Sequence, residues 1–282
     1  MNATGRYRPE LPEDELCAAE FGAYASYETN DGPVRFDFHG QSPSAEFDRL
    51  LDQYVNSDTS VLDIGCGAGF TLCRVATWAK QAWGLDLREN LLSATRARIA
   101  KYELASAHAV LANVSDSDCA KDLPPNTFGL VLSRRGPFLT HHLMPTLRED
   151  AIFVVEMFQD YLGLKAMFGR TPILPSAGGD ADPAVSHMAG LDMVPVSIRT
   201  FWFEEWFRNE DHLARYLSQG ANLSNWWMDA CPYVEARDRD ALKLYSRYMK
   251  SSEGIRLQGC RKVYVFRRQK TQFYPALQFR KA

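Results

Sequence analysis

The sequence is poor in the features that would place a chain in a membrane, outside the cell or on a metal. It has no apolar run of about 18 residues, the length a membrane-spanning helix needs. Its opening, MNATGRYRPELPEDEL, lacks the apolar core of a signal peptide. The six cysteines, Cys17, Cys66, Cys73, Cys119, Cys231 and Cys260, contain no Cys-x-x-Cys pair. Scattered in this way they read as reduced thiols of a cytoplasmic protein, neither a disulfide framework nor a zinc site. An excess of one charge is missing too. The 32 Lys and Arg against 35 Asp and Glu leave a formal net charge of -3, no global reason to bind nucleic acid.

The charge is nevertheless unevenly placed. Residues 10–20 carry five acidic groups and no basic one, whereas residues 254–282 carry eight Lys or Arg and no acid. A solvated edge accounts for the basic segment, and a phosphate-contacting surface is its sharper reading.

What is present is alternation. With 282 residues and 46% apolar content the chain can bury a full core. Ser42 and Pro43 form an N-cap and first-turn pair, and Phe47, Leu50, Leu51 and Tyr54 follow at helical spacing. A strand at 60–64, a helix to about Lys80, a strand ending at Asp86 and a helix with Leu92, Thr95, Ile99 and Tyr102 on one face come next. AHAVLA, FGLVLS and AIFVVEMF continue the series as strands. Strand and helix in turn predict an α/β fold, doubly wound, with a mostly parallel sheet covered on both faces. The Gly/Pro-rich stretch 171–185 is loop. VPVSIRTFWFEEWF and GCRKVYVFRR read as a late strand pair, with helices at 210–219 and 238–250 between them. The expected organisation is an N-terminal arm at 1–41, a core at 42–203, an inserted helical cap at 204–258, and a final strand with a basic tail at 259–282.

The stretch SVLDIGCGAGFTL, residues 60–72, carries the chemistry. Gly65, Gly67 and Gly69 stand at alternate positions after a buried-strand pattern, which offers bare backbone to a ligand. A dinucleotide fingerprint needs G-x-G-x-x-G, and Phe70 stands where its third glycine would be. A P-loop needs Gly-Lys-Ser/Thr, which does not follow. VLDIGCGAG resembles the first motif of the class I S-adenosylmethionine-dependent methyltransferases residue for residue, and GLDLREN resembles their second. The resemblance covers about residues 42–160. It implies a Rossmann-like seven-stranded sheet, S-adenosylmethionine as cofactor and S-adenosylhomocysteine as product. The cap pattern is similar to that of class I enzymes with a helical substrate lid before the last strand.

The resemblance also implies roles for residues. Gly65, Cys66, Gly67 and Gly69 form the cofactor loop. Asp63 lies beneath it, facing the cofactor's amino-acid end or bracing the turn. Asp86 ends the next strand, where a carboxylate accepts from two ribose hydroxyls. Leu87 flanks the adenine. Asn113, with Val114 beside it, stands where the family usually has an acid next to the adenine amine. Ser133, at the end of the fourth strand, completes the set.

The acceptor side is less constrained. LSRRGPF after the fourth strand is neither the Asn/Asp-Pro-Pro-Tyr of amine methylases nor a Pro-Cys nucleophile, and no paired acids are there to hold a metal. Arg134 and Arg135 suit a substrate carboxylate or phosphate, or alternatively a salt bridge to a helix. His141 and His142 are candidate bases, or helix-packing residues; His39 and His187 are weaker candidates. Trp226 and Trp227, with Tyr24 and Tyr27 of the arm, are candidates for walling an apolar pocket. The other cap aromatics, Trp202, Phe203, Trp206, Phe207 and Tyr233, are expected mostly to form its core. The reading is a methyltransferase acting on oxygen or nitrogen of a small molecule, without metal or membrane. The alternatives are an RNA methyltransferase and a non-catalytic partner subunit.

Overall fold

The computed structural model describes residues 34–161, 164–168, 182–219 and 233–269. In chain order the strands are β1 (Arg35–Phe38), β2 (Ser60–Ile64), β3 (Gln81–Asp86), β4 (Ala107–Leu111), β5 (Phe128–Arg134), β6 (Leu147–Tyr161), β7 (Met193–Phe207), β8 (Lys250–Ser251) and β9 (Gly254–Arg268). The helices are α1 (Pro43–Tyr54), α2 (Phe70–Ala76), α3 (Glu89–Lys101), α4 (Leu164–Met167), α5 (Pro183–Ala189), α6 (Glu210–Gln219) and α7 (Glu235–Met249), with a 3-10 turn at His141–Thr146.

The strands form one sheet in the order β1-β7-β9-β6-β5-β2-β3-β4, with β8 paired to β9. Strands β4, β3, β2, β5 and β6 are parallel, and β9 runs antiparallel between β6 and β7. The seven expected strands are there. Two short ones, β1 and β8, bring the sheet to nine. The arm thus contributes β1, whose RFDF alternation was there to be read; it pairs with the end of β7, and Phe36 stacks on Phe203 with ring centroids 5.2 Å apart.

Local chemistry sets the element ends. Ser42 Oγ accepts from the Ala45 N–H at 3.1 Å with Pro43 in the first turn, so α1 starts as its sequence predicts. Helix α2 stops at Ala76, short of the expected Lys80; the Thr77 hydroxyl donates to the Arg74 carbonyl at 2.8 Å and closes the last turn. One core packs on each face of the parallel region, around Phe128, Phe153 and Tyr264 on one side and Phe47, Leu72 and Val154 on the other.

The far strands are longer than the sequence indicates. Strand β9 begins at Gly254, and its first residues pair with the end of β7, Phe207 opposite Ile255 and Glu204 opposite Gln258. Both ends of the expected cap are therefore sheet. Helices α6 and α7 pack on this extension around a third core containing Phe203, Phe207, Leu213, Leu217, Leu242 and Tyr245. Asn209 Oδ1 caps α6 through the His212 N–H at 2.9 Å, and Asp238 Oδ2 reaches back to the Val234 N–H at 2.8 Å to cap α7.

Candidate active site

The chain runs from β2 outward to β4 and returns to β5 on the other side of β2. The crevice between β2 and β5 is thus the switch point, where open α/β sheets bind ligands beyond their strand C-termini. The glycine loop fills that crevice. Gly65 and Cys66 donate their N–H groups to the Leu85 carbonyl at 2.7 and 2.9 Å, which ties the loop to β3. Gly65, Gly67 and Gly69 all have positive φ, at 73°, 57° and 84°.

Two of the three glycines answer to protein neighbours. A Cβ on Gly65 would lie 2.5 Å from Pro137 Cδ, and one on Gly69 would lie 2.7 Å from Thr95 Cγ2. Gly65 therefore lets the loop after β5 close over β2, where Ser133 Oγ donates to the Pro137 carbonyl at 2.7 Å. Ser133 is fully buried, and its hydroxyl holds that loop instead of facing outward. Gly67 is different. Its N–H donates to Asp86 Oδ2 at 2.9 Å and its carbonyl accepts from the Thr95 hydroxyl at 2.8 Å. Thr95 is a site residue that the motifs do not mark; its only signal is a hydroxyl on the inner face of α3.

Asp86 is the hinge of the arrangement. Oδ1 accepts from the Arg88 N–H at 2.9 Å, so the carboxylate caps the start of α3 and braces the glycine loop together. Two carboxylate oxygens have about four acceptor positions, so each keeps one for a further donor. Beside it, Leu87 is exposed, and a cavity of about 320 Å³ runs from Leu87 past Leu111 and Ala112 to Asn113. The side-chain Oδ1 of Asn113 accepts from the Ser115 N–H at 3.1 Å and retains one lone pair. Val114 is buried, and its carbonyl accepts from the Thr140 hydroxyl at 2.7 Å.

Asp63 lies under the loop, 2% exposed, and its Oδ2 makes no hydrogen bond. Burial pushes its carboxyl up to about 7; the charge of Asp86 adds to this, and Arg134 opposes it. Cys66 is buried beside it, and burial pushes its thiol well up, so it stays protonated.

Arg134 lies between two carboxylates. Its Nε is 3.5 Å from Glu156 of β6, and its Nη1 is 3.9 Å from Asp48 of α1. Arg135 is exposed with φ 61°, and its N–H donates to the Glu156 carbonyl at 2.9 Å. His141 is exposed and His142 half-buried; their rings meet at 3.7 Å, and neither makes a hydrogen bond or ion pair among the described residues. His187 bonds the Leu139 carbonyl at 2.8 Å and His39 lies 3.6 Å from Glu204, so both have structural partners. Phe203, Trp206, Phe207 and Tyr233 are buried, as a cap core requires, while Trp202 is 40% exposed. Tyr24, Tyr27, Trp226 and Trp227 lie outside the described residues.

Residues 61–153 match the family described as "Methyltransferase domain". This stretch of the chain is a methyltransferase domain. Solved structures agree at the level of fold. A protein of unknown function from Deinococcus radiodurans R1 superposes with a TM-score of 0.58 at 18% identity, over 91% of this chain and 100% of its own. A Bacillus halodurans C-125 protein provisionally assigned as a methyltransferase gives 0.53 at 12% identity, over 81% and 100%. The YcgJ protein of Bacillus subtilis gives 0.52 at 9%, over 80% and 99%. No protein of curated function matches the methyltransferase chain in sequence.

The residues fit the cofactor such a domain uses. Asp63 presents an orphaned, buried oxygen beneath the glycine loop, Asp86 has acceptor capacity for vicinal hydroxyls, and the cavity at Leu87 has room for a flat base. No helix among the described residues is long and apolar enough to cross a membrane, and no group of three metal-ligating side chains converges among them.

Proposed function

We propose that this methyltransferase acts on an oxygen or nitrogen of a small acceptor held between the strand ends and the helical cap. The observation that carries the reading is the Asp86 carboxylate, fixed by Gly67 and Arg88 at the mouth of the crevice with acceptor positions to spare. S-adenosylmethionine supplies an activated methyl group, so the protein's task is placement and exclusion of water. In this reading Asp86 holds the ribose hydroxyls, Asp63 the ammonium, and Leu87 with Asn113 and Val114 the adenine. Gly67, with its neighbours Gly65, Cys66 and Gly69, keeps the loop low enough for the chain of the cofactor to pass. Ser133 holds the loop after β5 against Gly65. Arg134 and Arg135 face the acceptor from the end of β5. His141 and His142 are retained as bases for an acceptor that must lose a proton.

The small-molecule reading is favoured over RNA by what the basic C-terminal segment does. Lys262 pairs with Asp182 at 2.6 Å, Arg256 with Glu204 at 3.0 Å, and Arg261 lies 3.4 Å from Glu156. Arg268 donates to the Leu147 carbonyl at 2.7 Å. Among the described residues, Lys262, Arg256 and Arg268 are thus taken up within the fold and form no phosphate-tracking stripe. The test is calorimetric titration with S-adenosylhomocysteine, followed by transfer of labelled methyl from the cofactor into a small-metabolite extract and into bulk RNA. Binding with label in the small-molecule fraction is the expected result. Label in RNA alone overturns the acceptor assignment, and absence of binding overturns the whole.

A further inference from the structure

On one face of the sheet, alternate residues step from apolar to charged toward the crevice. Strand β5 presents Leu130, Leu132 and then Arg134; β6 presents Ile152, Val154 and then Glu156; β9 presents Val265, Val263 and then Arg261. Beyond this step lies Phe203, which belongs to the core of the cap. A layer of charge therefore separates the cofactor-binding core from the cap.

The layer is not closed by its own members. Glu156 is fully buried, yet its Oε2 makes no hydrogen bond, and neither does the buried Nε of Arg134 or of Arg261. Glu156 stands 3.5 Å from Arg134 and 3.4 Å from Arg261, longer than well-formed charged pairs at about 2.7–2.9 Å. Arg134 also acts on the buried Asp63 and lies 3.9 Å from Asp48, which is held closer by Arg74 at 2.7 Å. Side chains of both outer arginines retain access to solvent, 24% for Arg134 and 21% for Arg261. Aromatic surface is next to them. Arg261 lies 5.5 Å from the Phe203 ring centroid and 6.0 Å from that of Phe38.

We propose that the acceptor carries an oxyanion, a carboxylate or a phosphate, that seats on Arg134 and Arg261, with Glu156 as the fixed counter-ion that keeps the two guanidinia in place. This rests on the methyltransferase reading and deepens it. The buried Nε–H groups of Arg134 and Arg261 lack well-placed acceptors, which is costly, and an oxyanion reaching the partly exposed guanidinia supplies them. The planar guanidinium fork matches either oxyanion, and the half-buried Phe38 ring offers cover for the apolar part of the molecule. Glu156 of AIFVVEMF is the signal that sequence offers, a carboxylate inside an apolar strand.

The test uses protein saturated with S-adenosylhomocysteine and three probes: benzoate, phenyl phosphate and the neutral benzamide. Calorimetry should show benzoate or phenyl phosphate binding at least tenfold more tightly than benzamide, and R261Q should reduce that binding at least tenfold. The tighter of the two anions assigns carboxylate or phosphate. Because R261Q leaves Glu156 with one partner fewer, E156Q/R261Q, which removes one charge of each sign, is measured beside it and should also lose the anion. Benzamide binding equal to the anions, saturation by none of the three, or unchanged anion affinity in both variants overturns the proposal. Affinity for S-adenosylhomocysteine itself should stay within about threefold in R261Q, since Arg261 is on β9, away from the glycine loop. Loss of cofactor binding in the unaltered protein would instead mark failure of the methyltransferase reading.

Discussion

Asp86 does two things with one carboxylate, and that doubles the consequence of removing it. Asp86→Ala takes away the acceptor proposed for the ribose and releases the Gly67 N–H. Two lost charge-assisted hydrogen bonds are worth roughly 2–4 kcal/mol, a fall in affinity for S-adenosylhomocysteine of about 30- to 900-fold. Calorimetry reads the loss, and a change below about threefold would remove Asp86 from the cofactor site. Asp63 makes a second, pH-dependent prediction. Its carboxyl sits up at about 7 because burial disfavours the charge. A cofactor ammonium favours the ionised form, so binding below pH 7 must drive off a proton, and affinity rises with pH by up to about tenfold per unit before levelling above 7. Between pH 5.5 and 7 the ammonium itself stays protonated, so the slope belongs to Asp63. Asp63→Asn should bind more weakly and with a flat profile over that range. A slope that survives the substitution would assign the titration elsewhere.

Elements divide by how local their causes are. The start of α1 is written in Ser42 and Pro43, and the ends of β2, β3 and β5 in short apolar runs that stop at charge or glycine, so these were legible. The first residues of β9 were not. SSEGIRLQG looks like a loop because its glycines and serines are turn formers, and only pairing with β7, some fifty residues earlier, makes it strand. The site shows the same split. The cofactor loop stands in sequence as a contiguous motif, whereas Thr95, Glu156 and Arg261 meet their partners only through sheet order and helix packing. Gly254 tests the long-range part. It closes the turn onto β8 with φ 129°, and a Cβ there would run into the Phe207 carbonyl. Gly254→Ala should destabilise the protein by about 2–3 kcal/mol, read as a lower denaturation midpoint. A loss under about 0.5 kcal/mol would mean that the β7–β9 extension relaxes at little cost.

At the scale of the whole molecule, three cores sit on one sheet, and the charged layer lies between the second and the third. The cap cannot slide freely on the cofactor-binding core, because β7 and β9 run through both without a break. Among the described residues, any closure over an acceptor therefore falls to α6 and α7, which pack on those strands through side chains. Hydrogen exchange separates the parts. With S-adenosylhomocysteine and phenyl phosphate both bound, amides of α6 (Glu210–Gln219) and α7 (Glu235–Met249) should gain protection beyond that given by either ligand alone. Residues 204–207 and 255–258 should not change, because their ladder bonds are already made. The same topology alters how an RNA ligand would be seen. Strand β9 lies between two neighbours, so its amides are protected with or without RNA, and exchange across it carries no information about that alternative. RNA must instead be read from a salt-sensitive mobility shift. Protection confined to the crevice with α6 and α7 unchanged would mean that these helices form a fixed wall, and that water leaves the methyl path by the fit of the acceptor alone.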